Sequence, residues 1–133
     1  MASSNDAQKR SVLARVAPGA EWRLSGRTSY VSEVGRVHAR YKTRGPYSFN
    51  INPATLKADY ELWICGASDT YYLLPIDVVK SMYEHPDAYM DAHHAEIRVV
   101  SIDTASHRAT YSAGGQFLDL TTCYRAKLID AAG

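Results

Sequence analysis

Between Gly35 and Ile51 the chain reads Gly-Arg-Val-His-Ala-Arg-Tyr-Lys-Thr-Arg-Gly-Pro-Tyr-Ser-Phe-Asn-Ile, with Arg36, His38, Arg40 and Lys42 at every second position and Arg44 just beyond. Side chains of a strand alternate between its two faces, so this spacing puts three cations and an imidazole on one side. Rows of guanidinium and ammonium groups with aromatic rings between them, here Tyr41 and Tyr47, suit phosphate contact and base stacking. The plainer alternative pairs these cations with acids elsewhere in the chain, making Arg40 a structural salt bridge and His38 a surface strand histidine.

Other clusters carry less. Asp91-Ala92-His93-His94-Ala95-Glu96, with His85 nearby, is the densest group of metal-ligand residue types, but it has neither cysteine partners nor a second spaced histidine pair. Solvated connector histidines are the expected reading. Cys65 and Cys123 stand alone, and the default for each is a small buried thiol. The chain has no Gly-rich phosphate loop, nucleophile elbow, paired CxxC or HExxH.

The elements that would position the strip follow from periodicity. Residues 7–16 place Val12, Leu13 and Val16 at helical spacing with basic residues on the opposite face, Asn5 or Asp6 as cap, and a stop before Pro18-Gly19. Strands are expected around Trp22–Leu24, at Tyr30-Val31, over Arg36–Tyr41 and over Tyr47–Ile51. The last two have strict period two around Lys42-Thr43-Arg44-Gly45-Pro46 and read as a hairpin, with Val37, Ala39, Tyr41, Tyr47, Phe49 and Ile51 on one face. Asp59–Cys65 and Thr70–Leu74 form a second hairpin across Gly66–Asp69, followed by a helix over Ile76–Tyr83 and a short helical turn at Pro86–Met90. Strands over Ile97–Ile102, Arg108–Ser112 and Gln116–Leu120 complete the order. The expected class is α+β, a mixed, mainly antiparallel sheet flanked by short helices.

Gly35–Ile51 resembles the core hairpin of the PD-(D/E)XK nuclease-like superfamily, particularly its intron-encoded and restriction-endonuclease-like members. Ala58–Gly66 resembles the next strand of that family, and Thr70–Val79 the strand that runs through Ile-Pro-type residues into a helix. The likeness covers residues 30–80 and rests on the order and spacing of these segments. It implies a reduced restriction-endonuclease-like core and a metal-dependent endonuclease, in which an Asp and a Glu or Gln hold Mg²⁺ or Mn²⁺ while a Lys two residues on orients the attacking water. At the matching positions this chain has His38 and Arg40. Imidazole is a poor ligand for Mg²⁺, and Arg binds phosphate without exchanging a proton. The first Asp should lie beside an aromatic such as Tyr30, where the nearest carboxylates are Glu33 and Glu21.

Three functions follow. The first is a catalytically degenerate nuclease-like domain that binds nucleic acid, with DNA as the partner, through Arg36, Arg40, Lys42 and Arg44, Tyr41 or Tyr47 stacking. The second is an active endonuclease with a shifted site of Glu33, His38 and Arg40, Glu33 and His38 holding Mg²⁺ or Mn²⁺. The third is an accessory domain that docks on a protein.

Composition bounds all three. With 133 residues, 46% apolar and 22% charged, the chain has the composition of one globular domain, whose ends at 1–6 and 124–133 are expected to fray. The net charge of +1 conceals a split: residues 1–57 hold ten basic residues against three acids, and residues 58–133 hold five against eleven. No apolar run approaches the ~20 residues of a membrane span. Met1–Asp6 lacks a signal-peptide pattern, and two thiols suit a reducing cytoplasm, so a cytoplasmic monomer or weak homodimer is expected.

Overall fold

The computed structural model describes residues 3–128. Helix α1 spans Ser3–Val16, with Asp6 in its first turn and Arg15 in its last, each favourably placed in the field of the helix dipole. Strands β1 (Arg23–Ser25), β2 (Ser29–Ser32), β3 (Gly35–Lys42) and β4 (Tyr47–Ile51) follow, then a 3₁₀ turn, Pro53–Lys57, and strands β5 (Tyr60–Cys65) and β6 (Tyr71–Pro75). Helix α2 covers Ile76–Tyr83, as its apolar stripe predicts. Strands β7 (Arg98–Asp103), β8 (Arg108–Thr110) and β9 (Phe117–Asp119) and a last 3₁₀ turn, Thr121–Cys123, end the described chain. The fold is α+β, and every strand pair but one is antiparallel.

The strands form two sheets where one was expected. The first has order β1-β2-β3-β5-β6, with β3 and β5 parallel; the second has order β4-β7-β8-β9. Consequently β3 and β4 are not a hairpin. The connection through Gly45-Pro46 carries the chain from one sheet to the other, and the 3₁₀ turn carries it back. Alternation fixes which face of a strand is apolar but not which strand lies beside it. The two apolar stripes expected on one surface therefore serve two cores. Val37 and Ala39 pack with Val12, Leu13 and Val16 of α1, together with Leu62, Ile64, Tyr71 and Leu73. Phe49 and Ile51 pack with Trp63, Cys65, Tyr72 and Leu74, between the sheets and beneath Val79 and Met82 of α2. The central sheet is thus covered on both faces, which explains why β5 and most of β6 are buried along their length.

Two smaller expectations also differ. Pro86–Met90 contains no helical turn; Ala88 and Met90 bridge to Ser112 and Arg98 as extended backbone. Residues 124–128 are packed rather than frayed: Tyr124 bridges Tyr72, the Arg125 N–H donates to the Tyr71 carbonyl at 2.9 Å, and Leu128 is buried. At the other end Ser3–Asp6 belongs to α1; residues 1, 2 and 129–133 lie outside the described ones. No helix among the described residues is long and apolar enough to cross a membrane.

Candidate nucleic-acid interface

Strand β3 positions the predicted residues. Its alternation turns Val37 and Ala39 toward α1 and leaves Arg36, His38, Arg40 and Lys42 on the other face, the face of Glu61 and Trp63. His38 is not the surface histidine expected from the pattern: it is 3% exposed, because β2 and β5 flank it and the second sheet approaches the same face. A buried imidazole needs a partner, and β5 supplies one. Its register places Glu61 directly beside His38, and His38 Nδ1 is hydrogen-bonded to Glu61 Oε1. The Trp63 indole N–H donates to the same oxygen at 3.3 Å. Burial pushes the Glu61 carboxyl above its ordinary value, while the bonds from His38 and Trp63 and the charge of Arg40 pull the other way.

Glu33, the other carboxylate assigned to this site, lies elsewhere. Its Oε1 accepts the Glu21 N–H at 3.3 Å, and it lines a cleft with Ala17, Ala20 and Tyr60 on the α1 side of the sheet. Glu33 and His38 are not brought together. No three His, Cys, Asp or Glu side chains converge on a common point among the described residues. In the cluster at 91–96, Asp91 Oδ2 accepts the backbone N–H groups of His93 and His94, which makes it a loop-closing residue with exposed histidines.

The cations fare differently. Arg36 and Arg44 are exposed and Arg40 and Lys42 half-buried, and none of the four forms an ion pair within 4.0 Å among the described residues. Among the described residues, none of the four pairs with an acid of the second half. Arg40 lies beside Trp63 in register, near enough to Glu61 for its charge to act there. Tyr41 packs against the core under α1 and Tyr47 against the core between the sheets, and their hydroxyls meet at the turn after β5. The Tyr41 hydroxyl donates to the Gly66 carbonyl at 3.3 Å, and a Cβ on Gly66 would lie 2.6 Å from the Tyr47 hydroxyl oxygen. Gly66 has φ +85°, so the turn favours glycine on both counts. Both residues remain half-buried.

Two residues of this region escape the sequence reading. Glu61 stands in an apolar run between Tyr60 and Leu62, and a charge inside a strand expected to be central is a sign of a buried polar partner. Lys9 is not on the outer face of α1 with the other basic residues: it precedes Val12, Leu13 and Val16 by three, four and seven residues and therefore shares their stripe. It is 7% exposed. Burial, then the charge of Arg40, holds its amine below the ordinary lysine value, so α1 adds a cation to the field around Arg40. Comparison of the chain with protein-family models, with curated proteins and with solved structures gives no match.

Proposed function

We propose that the protein is a nucleic-acid-binding domain, a restriction-endonuclease-like core whose catalytic positions no longer form a metal site. The observation that carries this reading is the set of four cations, Arg36, Arg40, Lys42 and Arg44, along one strand and its following turn without carboxylate partners among the described residues. A basic row left unpaired is available to phosphates, and releasing their counterions supplies the affinity. The antiparallel run β1–β3 followed by a strand parallel to β3 supports a mixed-sheet core of that kind, although Gly35–Ile51 is not the hairpin on which the resemblance rests. The His38–Glu61 bond supports loss of catalysis: it ties up the imidazole at the position where the family holds a carboxylate, and Glu33 is on the other side of the sheet.

The test is fluorescence anisotropy with labelled duplex and single-stranded DNA across a salt series, with and without Mg²⁺ or Mn²⁺, the end points run on a gel. Binding should weaken steeply with salt, and Arg40→Ala plus Arg44→Ala should lower the slope of log K against log salt by about two. EDTA should leave binding unchanged and no product should form. Metal-dependent cleavage would instead support the shifted-site endonuclease, and absence of binding at low salt would favour a protein partner.

A further inference from the structure

A cleft of about 340 Å³ opens on the face of the central sheet that carries His38, lined by Ser29, Arg36, Ala54, Thr55, Lys57 and Ala58. Ser29 is the β2 residue opposite His38, and Arg36 lies two residues before His38, so alternation turns both toward it. The opposite wall is the 3₁₀ turn, whose shape is set locally. Asn52 Oδ1 accepts the Ala54 N–H at 2.9 Å, Pro53 occupies the first turn, and the Thr55 hydroxyl donates to the Asn52 carbonyl at 2.8 Å.

The two walls are tied together. The Arg36 N–H donates to Asp59 Oδ2 at 2.9 Å and the Asp59 N–H donates to the Arg36 carbonyl at 2.9 Å, which holds Arg36 and Lys57, two residues before Asp59, in a fixed relation. A site held open in advance loses little on binding. Its charge is also distinct. Arg36 and Lys57 line it with no carboxylate side chain, whereas the cleft beside Ala17 includes Glu33 and the one beside Tyr30 includes Asp6. Neither Arg36 nor Lys57 forms an ion pair among the described residues. The Thr55 hydroxyl hydrogen is spent on Asn52, leaving the Ser29 hydroxyl as the neutral donor.

We infer that this cleft is a phosphate subsite, in which Arg36 and Lys57 flank one phosphate group of a nucleic-acid strand and the Ser29 hydroxyl donates to it. The inference rests on the nucleic-acid reading and adds Lys57 and Ser29 to the strip. Two cations and a hydroxyl around a concavity match the oxygens of a phosphate, and the volume leaves room for the attached sugar.

The experiment compares wild type, Lys57→Ala and Ser29→Ala by anisotropy with one labelled single strand carrying a 5′-phosphate and the same strand with a 5′-hydroxyl. In parallel, the melting temperature is read in phosphate and in chloride at matched ionic strength. Lys57→Ala should weaken binding by about fivefold and reduce the salt slope by about one. A loss confined to the phosphorylated strand identifies a terminal phosphate, and an equal loss on both identifies an internal one. Lys57 is exposed, so the variant folds, and wild-type affinity and slope for both strands in both variants would overturn the inference. If wild type binds neither strand but phosphate raises its melting temperature and not that of Lys57→Ala, the subsite stands and the nucleic-acid reading falls. If phosphate has no such effect either, both fall.

Discussion

His38 and Glu61 lie side by side on parallel strands β3 and β5, joined through Nδ1 and Oε1, and are 3% and 2% exposed. A buried imidazole and a buried carboxyl are each costly alone, and each is the other's main polar partner. The pair therefore does structural work at the point where the sequence resemblance would place a metal.

Removing one member should leave the other uncompensated. Glu61→Ala is expected to cost about 1–3 kcal/mol by leaving the imidazole unsatisfied, and Glu61→Gln less because an amide can still bond. The pH dependence gives the sign. Burial raises the folded-state pKa of Glu61 above its ordinary 4.5, so its protonated form is favoured in the fold. Stability from this group is fully present below 4.5 and is lost as pH rises through the raised folded value. Urea unfolding from pH 4 to 7 should show the advantage of wild type over Glu61→Gln shrinking as pH rises; a constant difference would contradict this account.

Lys9 shows the opposite case of a base. Its amine is held below 10.5 by burial and by Arg40, so folding disfavours its charged form; that penalty is absent above 10.5 and grows as pH falls toward the lowered folded value. Lys9→Met keeps the stem that fills the α1 stripe and removes the buried amine, so it should raise stability at pH 7 by about 1 kcal/mol. Denaturation midpoints of the two proteins should converge only as pH rises past 10.5.

Phe49 and Trp63 join the two sheets, their rings stacked at 5.1 Å between centroids and 5° between planes, both fully buried. Phe49→Ala should cost about 3–5 kcal/mol, and Phe49→Leu about 1. Because this contact holds sheet to sheet, near-ultraviolet circular dichroism from Trp63 should change along with the unfolding midpoint. An Ala variant with wild-type stability would mean that the second sheet contributes little to the first.

Local pattern was enough to place α2, the α+β class and each main strand, because periods of 3.6 and 2 report which side of an element is apolar. It was also enough to read the alternating cations of β3. Partner choice was not legible. The stripe of Phe49 and Ile51 fits a hairpin with β3 as well as it fits β7, and only the burial of two separate cores, one under α1 and one between the sheets, decides between them. The same decision turned His38 from a solvent-facing residue into a buried one, since exposure depends on what covers a face and not on alternation. It also brought Glu61, twenty-three residues away, into hydrogen-bonding reach, carried Glu33 to the opposite side, and set the wall of Thr55 and Lys57 across a cleft from Arg36. Sequence determined the chemistry available on each face; tertiary packing determined which of those side chains met, because contacts between distant segments depend on the competition of whole faces for burial.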